Sequence, residues 1–528
     1  MADTIARAMA QAAKMDQVSV RDFGAKGDGT DATDAFKACA SVLMSSQHKG
    51  KKRLYLPPGD YPIQLGVSEV LFDFNGWNGI EIEGYGANLI RNNNPFAQRE
   101  SAYPFKFTNC KNITVKGLSF KTASAFVEPS LVVNPNGTDY GWTCLHFFDG
   151  NENIRVEQVY SENNYRGILF GDKTLWRNNR NIYIDAAAYR NEYGLNFANS
   201  GDDAVVKFRG ELCHRAYFIY GVKNHNTELT SVRPRTSSAV ISAYEYDTVN
   251  ISLRATVYMD DTEESWNRSN GGIEVLPQTD SGQVKAGNIK RVLIDATLID
   301  TGTVLTGYRP FVGCYGFKGT GAVDPGYIDE LTIRADIREW RGHTLYRSPI
   351  GFNEITSAGY DVNGVAQFPT VSDGVYLEPV VYNMTLENIV VHSDKLHENQ
   401  QHAIEFSFSK LRGTFTLRNF DGNLSPSVRN VGTTGRVVFE NVNVNARFGK
   451  SWQEPSLNRE WMKNSRNHVI RNVIEEVPSA IPAGNLVRYS QQVTEFSESA
   501  ASIGSLFVDT ADGKLKFKDY SGVVASLT

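Results

Sequence analysis

From about residue 105 the chain alternates apolar with variable positions in short runs of β-branched and aromatic residues, and Asn or Gly breaks each run. A period of two is the signature of strands, and the punctuation marks bends. Aligned on their openings, the runs fall into two columns. Asn112-Ile-Thr-Val, Asn153-Ile-Arg-Val, Asn181-Ile-Tyr-Ile, Asn250-Ile-Ser-Leu and Asn288-Ile-Lys-Arg-Val share the first, with weaker starts near Val205 and Glu228. Gly167-Ile-Leu-Phe, Gly194-Leu-Asn-Phe, Ala216-Tyr-Phe-Ile, Ala239-Val-Ile-Ser and Gly272-Ile-Glu-Val share the second. The columns recur every 22 to 28 residues, apart from longer insertions. Such a coil cannot bury its inward side chains alone, so the pattern predicts a stack, a right-handed parallel β-helix solenoid. A (β/α)₈ barrel would need a helix after each strand, and a propeller repeats of about 40 residues. A β-sandwich does not explain in-line columns.

Helical periodicity is confined to two places. Residues 2–14 are Ala-rich, and Asp31–Leu43 sets Phe36, Cys39, Ala40 and Leu43 on one face, with Thr33 able to cap. The second helix is expected to cover the open edge of the first coil. Residues 448–476 lose the coil rhythm and read as a connecting segment, and 478–488, with two prolines, read as a linker. Beyond it, Asp512-Gly513 between Leu506-Phe-Val and Leu515-Lys-Phe predicts a hairpin.

The stretch Val18-Ser-Val-Arg-Asp-Phe-Gly-Ala-Lys-Gly-Asp-Gly-Thr-Asp, followed by Leu54-Tyr-Leu-Pro-Pro-Gly-Asp-Tyr, resembles the entry of the pectate-lyase-like superfamily of parallel β-helix proteins. The Ala-rich leader before it, and the module from Gly504 to Val524, resemble the ends of bacteriophage tail fibres and spikes. The resemblance implies a tailspike that degrades a bacterial surface polysaccharide, carried on the virion, assembled as a homotrimer and joined to the tail through its N-terminus. The expected domains are 1–17 for attachment, 18–104 for the entry and capping helix, and 105–447 for the β-helix. Residues 448–488 then connect to a trimerisation module at 489–528.

Composition narrows the classes further. The 54 Lys+Arg against 59 Asp+Glu leave a net charge of −5 without a basic block, which argues against nucleic acid. No run of 18 apolar residues occurs, so membrane insertion is not expected. The leader has neither the basic nor the apolar region of a secretory signal, so synthesis in a cytoplasm is expected. Five scattered cysteines read as buried thiols, and neither metal-ligand spacing nor a cofactor motif is seen.

Glycoside hydrolysis by the commonest route needs two carboxyl groups about 5–9.5 Å apart, and neighbouring coils hold matching positions about 4.8 Å apart. Acidic residues at matching column positions are therefore the candidates. Ser200-Gly-Asp-Asp places Asp202 and Asp203 past the second column and resembles the GDD element of polygalacturonase-type glycosidases. Tyr244-Glu-Tyr-Asp places Glu245 and Asp247 past the same column two coils later, a span of about 10 Å that suits an inverting pair. Glu274 takes the outward position of its strand, with Asn196 and Ile241 as column equivalents. The ordinary alternatives are turn-forming aspartates and a solvated glutamate. Trp266, in the acidic insertion at 259–268, with Tyr244 and Tyr246, could stack on sugar rings. His214 and Arg215, or Lys223 and His225, have the residue types for uronate elimination, which leaves a lyase as the alternative. An esterase ranks behind both, since no G-x-S-x-G elbow occurs, and a non-catalytic glycan-binding spike is the remaining class.

Overall fold

A computed structural model describes residues 17–44, 52–66, 68–91, 102–122, 142–172, 175–260, 272–302, 311–339, 349–352, 374–377, 379–392, 402–407, 411–423, 425–429, 435–445, 469–476, 487–489, 494–496, 505–509, 515–518 and 524–526. The helix expected at 2–14 and most of the expected linker lie outside these residues.

The two columns of the sequence are two parallel ladders. Short strands from Val70–Asn75 through Tyr103–Thr108, Thr143–Asp149, Arg166–Gly171, Tyr193–Ala198, Arg215–Tyr220, Ser237–Ala243 and Gly272–Thr279 stack in register as one sheet. Long strands from Asn78–Arg91 through Lys111–Thr122, Glu152–Glu162, Arg180–Tyr189, Asp202–Glu211, Lys223–Val232, Thr248–Met259 and Ile289–Asp300 form the other. Each coil contributes one strand to each sheet, and the chain runs as a right-handed parallel β-helix, the hand that parallel crossovers take.

Stacking in register lines each side chain up with its counterpart one coil away. Inside, the rings of Phe74, Phe107, Phe147, Phe170 and Phe197 form one column with successive centroid distances of 5.2, 4.8, 4.7 and 4.5 Å. The column continues as Ile219, Ile241, Val275 and Cys314, all fully buried. All five cysteines are free, buried thiols, as their scatter along the chain predicts.

Near the start of each long strand sits a residue in the left-handed region. Asn112, Asn153, Asn181, Asn224 and Asn250 have φ of 54°, 59°, 56°, 60° and 59°. Asn bears this conformation better than other non-glycine residues. Its amide also both donates and accepts, so the column is self-complementary: Asn153 donates to Asn112 at 2.9 Å, Asn181 to Asn153 at 3.2 Å and Asn250 to Asn224 at 2.8 Å. Within the Asn column, the sequence alignment is corrected at Asn288. Asn288 sits at the preceding corner, and the left-handed rung is Arg291 (φ 55°), whose Nε donates to Asn250 Oδ1 at 2.5 Å.

The helix Thr33–Leu43 buries Phe36, Cys39, Ala40, Val42 and Leu43, with Phe36 against Tyr61 and Phe72. Its start is held by Asp31, whose carboxylate accepts from Thr33 N at 2.9 Å and from its hydroxyl at 2.5 Å. Thr33, expected as the cap, instead accepts from Gln64 N. Val469–Glu476, read from sequence as part of a connecting segment, is a further long-sheet rung on Arg436–Asn445, and Val487–Tyr489 pairs antiparallel with it. Ser505–Asp509 and Leu515–Lys518 form the hairpin that the Asp-Gly signal predicts, with Leu506 opposite Phe517 in a four-stranded sheet.

Two predictions follow from the core. Removing a ring from the middle of the phenylalanine column, as in Phe147→Ala, should destabilise the protein by about 3–5 kcal/mol, read as a lowered denaturation midpoint. His225 is 1% exposed, receives a hydrogen bond from the Tyr217 hydroxyl at Nδ1 (3.0 Å) and donates from Nε2 to the Gly201 carbonyl. Burial pushes its pKa down from 6.5 to about 4. The unfolded chain therefore takes up this proton first, so the stability His225 contributes is present above pH 6.5 and is lost as the pH falls toward 4. Melting temperature should drop across that window, and His225→Gln should flatten the drop.

Candidate functional site

From Thr143–Asp149 to Gly272–Thr279 the short-strand sheet is buried on both faces. Leu145, Ile168, Leu195, Tyr217, Ala239 and Ile273 point inward, and the next residues along, His146, Leu169, Asn196, Phe218, Val240 and Glu274, form the outward column. All six are buried, none more than 6% exposed. The register shift between Ser237 and Ala239 puts Val240 opposite Glu274, so Ile241, expected as its equivalent, faces inward beside Val275.

Glu274, for which a solvated carboxylate was the ordinary expectation, is only 5% exposed. It accepts hydrogen bonds from the Ser237 hydroxyl (2.7 Å) and from the Tyr315 hydroxyl. Arg215 lies beside it: burial opposes the guanidinium charge, but Tyr193, Glu274 and Glu192 outweigh burial and hold it protonated. Glu192 in turn lies 2.9 Å from His214 Nδ1. Burial raises the Glu192 pKa, and His214, Arg215 and Arg166 more than reverse this, keeping the group below the usual carboxylate range. Next to this ionic group runs an aromatic row. Tyr193 stacks on Phe218 at 5.9 Å, Phe218 meets Tyr220 at 5.1 Å, and Tyr220 meets Tyr244 edge-on at 4.7 Å. Burial, then Tyr220 and Asp280, hold the Tyr244 hydroxyl protonated far above its usual range.

The fold thus brings together Glu274, Arg215, His214 and Tyr244 from among the sequence candidates. The other acids serve the corners and the rungs. Asp202 accepts from Lys223 N at 3.0 Å and Asp247 from Asn288 N at 2.8 Å, as Asp149 does from Asn178 N at 3.0 Å. Asp247 also holds Lys290 at 2.8 Å; burial raises its pKa, and Lys290 and Asn288 more than offset that. Asp203 lies past the second-column strand Tyr193–Ala198, already within the next long strand. It opens the long strand Asp202–Glu211 at φ 58° and accepts from Asn224 at 2.8 Å, taking the place of an asparagine in the rung column. Glu245 and Tyr246 lie half-buried in the bend after Ser237–Ala243, with Lys285 5.3 Å above the Tyr246 ring. Trp266 lies outside the described residues. Of the alternative lyase pair, His225 is a core residue.

Sequence reading missed Glu192, Tyr193, Arg166, Phe218 and Tyr315. A signal was present for two of them: Arg166 and Tyr193, like Arg215, directly precede the small residue that opens the second column. A groove of about 430 Å³ lies elsewhere, on the outer face of the long sheet between Tyr160, Asp185, Lys207, Arg209 and Glu228. None of the candidate residues lines it. Among the described residues no cluster of His, Cys, Asp and Glu could hold a metal ion.

No protein-family model matches the chain, and no curated protein matches its sequence. In structure it is similar to the A-module of a mannuronan C-5 epimerase of Azotobacter vinelandii, with 13% identity, 87% of this chain and 100% of that one covered, and a TM-score of 0.40. It is similar also to tailspike protein 3 of bacteriophage CBA120 (10% identity, 97% and 69% covered, TM-score 0.34). The tailspike of E. coli bacteriophage HK620 gives 12% identity, 86% and 80% covered, and a TM-score of 0.35. The β-helix itself stands on the two ladders of this chain.

The placement of Asp203 has a direct test. Asp203→Asn restores the rung chemistry and should leave stability and any polysaccharide cleavage near the parent values. Asp203→Val forces a β-branched residue to φ 58° and should cost about 1–3 kcal/mol in thermal or chemical denaturation.

Proposed function

We propose that the protein is a bacteriophage tailspike that binds and cleaves a bacterial surface polysaccharide, capsule or O-antigen, by endo-glycosidic hydrolysis. The observation that carries this reading is Glu274, a carboxyl buried on the outward face of the sheet beside Arg215 and an aromatic row. Tyrosine and phenylalanine rings suit the apolar faces of sugars. The Ser237 and Tyr315 hydroxyls hold the Glu274 carboxyl in place beside Arg215, and in this reading it takes the role of base or nucleophile. His214, held on Glu192 and next to Arg215 in the chain, takes the role of proton donor. Elimination is the second reading. His214 next to Arg215 has the base and the cation that removal of a proton from a uronate needs.

Incubation with purified capsule or O-antigen and mass analysis of the products separates the readings. A gain of one water per cut means hydrolysis, an absorbing unsaturated end means elimination, and an unshortened polymer would sink both. Glu274→Gln should lower turnover by at least about a hundredfold while polymer binding survives. If that variant cleaves like the parent, Glu274 is not the base.

The same proposal includes a homotrimer, attached to the tail by residues before 18 and clamped through the module from 489 onward. Solenoids expose edges and flanks that partners cover. Light scattering at micromolar concentration should give three times the chain mass, and a mass of 58.7 kDa would reject the trimer.

A further inference from the structure

Arg166, Tyr193 and Arg215 are register partners on three successive short strands. The tyrosine ring lies between two guanidinium groups, with Arg166 5.6 Å and Arg215 5.7 Å from its centroid. Each guanidinium rests on a second ring as well, Arg166 on Tyr165 at 4.4 Å and Arg215 on Phe218 at 5.2 Å. Their hydrogen bonds go to tyrosine hydroxyls: Arg166 Nη2 donates to Tyr165 at 3.0 Å and Arg215 Nη1 to Tyr193 at 3.2 Å. Among the described residues neither has a carboxylate oxygen within 4.0 Å, and neither buried Nε–H has an acceptor. The nearby carboxylates are engaged elsewhere, Glu192 with His214 and Glu274 with Ser237 and Tyr315. Two half-buried cations are thus held side by side by ring faces, their planar forks unmatched. In the outward column between them, Asn196 is 3% exposed and its Oδ1 has no donor.

A stacked guanidinium with an open fork is matched by a planar, two-oxygen anion. We infer that Arg166, Tyr193 and Arg215 form an anionic subsite that receives the carboxylate of an acidic sugar, with a ligand hydroxyl donating to Asn196 Oδ1. The inference rests on the polysaccharide reading and names its substrate class. Neutral glycans would leave both forks unpaired, so the subsite selects polymers that carry a carboxylate in the repeating unit.

The test is binding by the full-length protein, measured apart from cleavage, at low and physiological salt. Three sets of probes are used: capsular polysaccharides containing uronic acid, the same polymers after chemical reduction of their carboxyl groups, and a polymer whose only charges are phosphodiesters. Native uronate polymers should bind at least about tenfold more tightly than the reduced ones. The double variant Arg166→Gln/Arg215→Gln should erase that difference. Arg254→Gln, an exposed long-sheet residue, should not. Melting temperatures establish that the variants fold, and Arg215→Lys, which keeps the charge and loses the fork, should fall between. Equal binding of native and reduced polymers, or a double variant that still discriminates, overturns the subsite. Binding to the phosphodiester polymer alone overturns the carboxylate assignment. If a neutral polymer is bound and cut regardless of the arginines, the subsite falls and the polysaccharide reading stands. If no polymer of any charge is bound, both fall.

Discussion

Each side chain on the two ladders must live beside its counterpart one coil away, about 4.8 Å distant, because the coils stack in register. Each kind of residue meets that constraint differently. Aliphatic side chains satisfy it by burial, and the phenylalanine column by offset stacking with ring planes 8–12° apart. Asparagine satisfies it because an amide complements another amide, which also accounts for its use at the left-handed rung. Like charges satisfy it poorly, and Asp185 opposite Glu157 is a like-charge step in the long-sheet column. On the outer face of the long sheet the column Lys207, Glu228, Arg254, Asp295 and Arg334 accordingly alternates in sign, and Glu387, Arg418 and Glu440 carry the alternation on. The Glu387 carboxyl bonds both Arg418 and Arg334, which keep it below the usual carboxylate range.

The candidate site lies where this rule is relaxed. On the outward face of the short strands, neighbours do not repeat: Glu274 follows Val240, and Tyr193 separates two arginines. These unlike residues meet instead through ring stacking and guanidinium–ring contacts. Neighbouring coils of the short-strand face hold these side chains, Glu274 between Ser237 and Tyr315 and Arg215 against Tyr193 and Phe218. Hydrogen bonds to the coils before and after it limit how far Glu274 can move, which is what a preorganised site requires.

Much of the architecture was legible in the chain because a stacked fold writes its period into the sequence. The Asn and Gly columns correspond to the two sheets, and Asp512-Gly513 to a hairpin. Legibility failed wherever a residue departed from its column's usual type. Asp203 is a rung residue that does not look like an asparagine, and Arg291 is another, three positions past the Asn288 that the alignment chose. A one-residue bulge at Ser237 moved Glu274 from the register of Ile241 to that of Val240, which no count of residues along the chain could show.

What the sequence determined alone is the period: alternation of apolar positions, the bends, and hence the stack, since these depend on residues close together in the chain. Which carboxyls are available for chemistry was decided only by the tertiary structure. Asp202, Asp203, Asp247 and Glu274 are equally acidic as letters. The first three meet backbone or side-chain donors at a corner or a rung contributed by the next coil. Glu274 instead meets Ser237 from the preceding coil and Tyr315 from the following one, on a face with two arginines. Hydrogen bonding and desolvation act across coils, between residues 21 to 41 positions apart, and composition near each acid carries no trace of them.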